Sequence, residues 1–166
     1  VLAQGEMRYV PASLRRTWAS QRSSGPPESP ATGELLIDVR RRTFRALVMA
    51  GVGVLMGTYS PQPFNVPGFS LRHELQSMSD AGLTPYEVLV TGTRKVAEYA
   101  QRELLEAGNF GTIVQGNRAD LILLRGNPLV DLDHLWNQEG VMVRGRWISR
   151  EEIDARLARI AERNGG

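Results

Sequence analysis

The chain has 166 residues, 42% of them hydrophobic and 23% charged, which is ordinary globular composition and excludes a wholly disordered polypeptide. It has no cysteine, which excludes a disulfide framework, a thiolate nucleophile and thiolate metal ligands. Net charge is only +2, with every basic residue except Lys95 an arginine, and no apolar run approaches the ~20 residues of a membrane span.

Residues 1–33 show little periodicity and include "RSSGPPESPATG", whose prolines and glycines predict a long loop. From Glu34 to Ala50, Leu36, Val39, Leu47 and Val48 recur at helical spacing and Gly51 stands just past the C-terminus, so a helix is predicted. The basic run Arg40-Arg41-Arg42 with Arg45 falls on this helix and reads as a solvated, ion-paired face. It lacks the aromatic interleaving and reader motifs of a nucleic-acid interface. "GVGVLMGTYSP" follows, apolar on both faces over Val52–Met56, as a parallel strand covered on both sides would be.

After the loop "YSPQPFNVPGF", Ser70 is placed to cap a helix through His73, Leu75 and Met78 to Gly82. Thr84-Pro85-Tyr86-Glu87 combines threonine at the N-cap, proline in the first turn and glutamate three residues on. It opens a helix predicted to run past Gly92 and to end before Gly108. Gly111–Ile113, Leu121–Leu124, Val141–Val143 and Trp147-Ile148 are short strand candidates between turns. Ser149 and Glu152 form a second capping box, heading a terminal helix striped by Ile153, Leu157 and Ile160. Helix, buried strand, helices and a cluster of short strands together make an α/β organisation.

Local chemistry is sparse. His73 has no second histidine at helical spacing, so it reads as a surface or packing residue rather than a ligand. His134 lies in "DLDHLW", where Asp131 or Asp133 is better placed to cap a turn than to hold a cation. Ser60 lacks a nucleophile elbow, and the glycines of "GVGVLMG" lie within a strand rather than at a phosphate-cradling turn. No metal site is legible in these residues.

Three longer stretches carry a resemblance: "PGFSLRHELQSMSDAGLTPYEVLVTGT", "GTIVQGNRADLILLRGNPLVDL" and "GVMVRGRWISREEID". Over roughly residues 34–155 the chain resembles the C-terminal part of the amidohydrolase superfamily, nearest to the imidazolonepropionase-like metal-dependent hydrolases. The resemblance implies a TIM-type (β/α) barrel plus a small β domain. Residues 1–110 would be the barrel part, with the long loop 1–33, the last barrel strand over 52–58 and closing helices over 70–107. Residues 111–166 would bring the C-terminal strands of the β domain and a terminal helix. A complete barrel needs about 250 residues, so the sequence reads as a C-terminal fragment.

By the same resemblance, the full-length family binds zinc or another divalent metal through upstream histidines that have no counterpart here, and hydrolyses C–N bonds of small-molecule amides, cyclic or dipeptide-like. An aspartate at the tip of the last barrel strand moves the proton, and its position is taken here by Tyr59, with Ser60, Phe64 and Phe69 as substrate-loop candidates. A phenol ordinarily titrates near pH 10 and a carboxylate near 4, so the exchange removes a base at neutral pH. A degenerate copy, a sequencing or engineered change, and a reassigned role in substrate binding remain open, as does simple packing of Tyr59 against Phe64 and Phe69. The resemblance therefore leads to a hydrolase portion inactive as it stands or, alternatively, a non-catalytic remnant acting through a partner or self-association. Neither a nucleic-acid nor a membrane partner is expected, and cytoplasm is the default compartment.

Overall fold

The computed structural model describes residues 5–23, 29–105 and 109–165. The first of these is helical rather than the expected long loop: a 3-10 turn spans Gly5–Tyr9, and helix α1 spans Ala12–Ser23. Periodicity missed α1 because, among its described side chains, Trp18 alone is buried, so there is no apolar stripe to detect. Trp18 packs with Met7, Val10 and Val66 into a first core cluster. Asn164 closes this end of the molecule by donating from Nδ2 to the Tyr9 carbonyl at 2.7 Å and accepting at its own carbonyl from Arg15 at 3.1 Å.

Helix α2 spans Pro30–Met49, four residues earlier than its apolar pattern begins. Proline, taken in the sequence as a breaker, is tolerated in a helix's first turn, where its missing N–H has no intrahelical acceptor anyway. Ser29 caps that turn by accepting from the Thr32 amide at 3.2 Å. Gly51 ends the helix at φ +77°, the conformation glycine reaches without a Cβ penalty. Of the arginine run, Arg41 pairs with Asp80 and Arg42 with Asp38. No described helix is both long and apolar enough to cross a membrane.

Residues 52–58, where the last barrel strand is expected, pair with no other strand among the described residues. Their backbone is tied at three points, Val52 N to Leu47 O at 3.0 Å, Met56 N to Thr91 O at 3.1 Å and Thr58 O to the Asn65 side-chain amide at 3.0 Å. A parallel strand exists by virtue of its neighbours, and the described chain supplies none. Val52 and Leu55 consequently stay exposed, as do Leu35, Ile37 and Met49 on α2.

Helix α3 spans Leu71–Asp80 and buries Leu75 and Met78. Ser70 does not cap it through its side chain. Its Oγ instead accepts from the Val66 amide at 2.8 Å and so closes the preceding loop. Helix α4 spans Pro85–Thr91 behind the expected capping box, Thr84 N donating to Glu87 Oε2 at 2.7 Å and Glu87 N to Thr84 Oγ1 at 3.3 Å. The predicted single helix breaks at Gly92 and Thr93, and α5 resumes over Arg94–Glu103. Hydroxyls on both sides of the break bond back to the helix, Thr91 to Val88 O at 2.6 Å and Thr93 to Leu89 O at 2.7 Å, and Gly92 weakens propagation further. Leu75, Met78, Leu83 and Val88 form the second core cluster, against which Phe44, Met56 and Trp136 pack.

Strands β1 (Leu121–Leu124), β2 (Gln138–Val143) and β3 (Arg146–Ser149) form an antiparallel sheet in that order, with Ile122 opposite Val141 and Val141 opposite Ile148. The β2–β3 turn places both Arg144 and Gly145 at positive φ, as a two-residue hairpin requires. Asp120 braces it by accepting from the Arg144 amide at 2.7 Å, an interaction that holds its carboxyl below the usual aspartate range. Gly140 is obligatory, since a Cβ there would meet the Trp147 ring at 2.4 Å. Gly111–Ile113 is not a strand, and Ile113 is 88% exposed. Helix α6 spans Arg150–Arg163 behind Ser149, whose Oγ accepts from Glu152 N at 3.2 Å. The fold is α/β with a small antiparallel sheet.

Candidate functional site

Residues 58–65 form a tight loop closed on itself. Asn65 donates from Nδ2 to Thr58 O at 3.0 Å and from its amide to Gln62 O at 2.8 Å, while Thr58 Oγ1 donates to Ser60 Oγ at 3.0 Å. Tyr59 sits at the tip with φ +53° and 83% of its surface exposed. A left-handed conformation at a bulky residue costs about 1–2 kcal/mol and concentrates at functional positions. The Ser60-Pro61 peptide is cis.

Phe64 leans on Trp18 with ring centroids 5.7 Å apart, and Phe69 stacks on Tyr9 at 4.7 Å, so both aromatics pack against the first core cluster. Tyr59 is too exposed to pack against them, which corrects the packing expectation. Ser60 is half-buried beside Thr58.

A second concavity went unnoticed in the sequence. The loop at 67–69, the first turn of α3, the 3-10 turn Leu132–Trp136 and the N-terminal half of α6 enclose an open cleft of about 850 Å³. Arg72 donates from Nη2 to both Asp133 carboxylate oxygens at 3.0 Å and lies 5.9 Å from the Trp136 ring centroid. Arg150, whose Nε donates to Asp154 at 2.9 Å, is held in its charged form by that bond. No local signal announces this site, because Arg72 and Asp133 are 61 residues apart. Between α2 and α3, a smaller pocket of about 140 Å³ holds Glu74 beside Phe44 and Met78, and burial pushes the Glu74 carboxyl up.

The histidines do other work. His134 Nδ1 lies 2.9 Å from the Asn127 carbonyl, and Asp131 caps the turn by accepting from Asp133 N at 2.8 Å, as the capping reading expects. His73 is exposed in the cleft. Among the described residues, no group of three or more His, Asp or Glu side chains is placed to hold a metal ion.

No family model matches the chain, and no curated protein does. Solved structures do match. A bottromycin amidohydrolase aligns at 28% identity and TM-score 0.76, covering 98% of this chain and 36% of that one. A second amidohydrolase aligns at 26% identity and TM-score 0.57, over 82% of this chain and 32% of that one. These matches support the amidohydrolase superfamily for this chain. A Xaa-Pro dipeptidase solved with methionine in its active site shares the fold at 24% identity and TM-score 0.58, over 82% of this chain and 33% of its own. The chain spans about a third of the length of the solved proteins it matches and corresponds to their C-terminal part. Its described residues do not by themselves fit a metal centre.

Proposed function

We propose that this chain supplies the C-terminal portion of a metal-dependent amidohydrolase acting on C–N bonds of small-molecule amides. Tyr59 would stand where the family's proton-moving aspartate stands. The observation that carries the reading is the match to the bottromycin amidohydrolase, which takes in nearly the whole of this chain. The left-handed, exposed backbone of Tyr59 at the tip of a braced loop supports a role in presenting a group rather than in packing. Zinc or another divalent ion would be held by residues other than those described here, since they do not fit it.

At neutral pH a tyrosine hydroxyl donates a hydrogen bond and does not act as a carboxylate base. The chain on its own therefore binds no stoichiometric metal and does not hydrolyse amides. Metal analysis of the purified 166-residue chain, with amide hydrolysis assayed before and after chelation, tests this. Stoichiometric metal whose removal abolishes hydrolysis would overturn it.

Exposed apolar residues favour a second reading, in which the chain works through association. Leu35, Ile37 and Met49 on α2, with Val52 and Leu55 beyond it, are apolar side chains left uncovered. Sedimentation velocity tests this reading: a concentration-dependent dimer or larger species supports it, and a monomer at every concentration refutes it.

A further inference from the structure

We infer that the cleft beside α3 and α6 binds a zwitterionic amino acid with a large apolar side chain. Its volume, about 850 Å³, lies within the range of small-ligand sites. The wall combines apolar surface from Phe69, Trp136, Ile153 and Leu157 with charges of both signs.

The cations are already oriented. Arg72 commits one nitrogen to Asp133, and Arg150 commits its Nε to Asp154. Among the described residues, the other guanidinium nitrogens of both have no acceptor, leaving donors fixed in place for a carboxylate. Trp136 steadies Arg72 from one side by a cation–π contact.

Glu6 supplies the complementary charge. It is half-buried at the cleft wall and has no ion-pair partner among the described residues, so it is free to receive an ammonium group. The lining thus offers uncommitted guanidinium N–H donors and an unpaired carboxylate, which suits a ligand that carries both charges. A dianion would leave Glu6 without a partner, and a purely apolar molecule would bury Glu6 and the uncommitted guanidinium nitrogens unpaired.

The experiment titrates three ligands into the 166-residue protein by calorimetry: L-phenylalanine, L-phenylalaninamide, which lacks the carboxylate, and 3-phenylpropanoate, which lacks the ammonium. L-phenylalanine should bind at least about tenfold more tightly than either analogue, as loss of a charged hydrogen-bonded contact implies. Glu6→Gln should abolish the preference over 3-phenylpropanoate while keeping that over the amide. Arg150→Gln should do the reverse, with circular dichroism confirming that α6 persists. No saturable binding of L-phenylalanine, equal binding of all three ligands, or preferences unchanged in Glu6→Gln would each overturn the inference. The ligand comparison and Glu6→Gln stand even where Arg150→Gln fails to fold.

Discussion

Replacing Tyr59 by glycine should stabilise the protein, an unusual outcome for deleting an aromatic side chain. Tyr59 lies at φ +53°, where a residue with a Cβ is disfavoured by about 1–2 kcal/mol, and its side chain is 83% exposed, so truncation removes little packing. Glycine reaches that conformation freely but loses more chain entropy on folding, roughly 0.5–1 kcal/mol. The net gain is roughly 0.5–1 kcal/mol, or a rise in melting temperature of about 1–4 °C for a chain of this size. Urea titrations at constant m-value measure it directly. A loss of about 1 kcal/mol or more would show that the ring makes stabilising contacts, and the argument that its conformation is kept for presentation rather than folding would fail.

Other perturbations bear on the scaffold. Leu75→Ala, at a site 3% exposed in the second core cluster, should cost about 2–5 kcal/mol by denaturant unfolding, whereas a cost under about 1 kcal/mol would mean that cluster is not a core. Thr84→Ala removes the acceptor for the Glu87 amide and should cost about 1 kcal/mol, with the loss of α4 protection visible in hydrogen exchange. Glu74 gives a pH dependence of definite sign. Burial raises its folded-state pKa above the unfolded value, so its contribution is fully present below the unfolded value and is lost as pH rises through the folded one. Glu74→Gln should therefore be more stable than the parent at pH 7 and indistinguishable from it below about pH 4, and the opposite ordering would refute the assignment.

Much of the scaffold was legible because its signals are local. The Thr84 box, Gly51 at the end of α2 and the Asp131 cap each depend on a few neighbouring residues, and each formed as expected. The errors occurred where local and distant information conflict. Pro30 looks like a breaker until Ser29 is seen to cap the turn it opens, and α1 carries one buried tryptophan rather than a stripe. Val52–Met56 has a strand's composition but no partner strand among the described residues, and pairing lies beyond what composition encodes. Around Tyr59, Phe64 and Phe69 pack against the first core cluster and Ser60 is hydrogen-bonded to Thr58, contacts that no local pattern announces. The cleft was invisible because Arg72, Asp133 and Arg150 meet only through tertiary structure.

The central claim is that this chain is an amidohydrolase portion in which a tyrosine occupies the proton-moving position. Joining it to the preceding part of the bottromycin amidohydrolase that it does not match, and measuring amide hydrolysis with Tyr59 and with Tyr59→Asp, tests that claim most directly. The tyrosine form should stay near background and the aspartate form should exceed it by about 10²-fold or more, the scale of a positioned general base. Equal rates from the two forms, in a metal-loaded and folded chimera, would contradict the assignment of Tyr59.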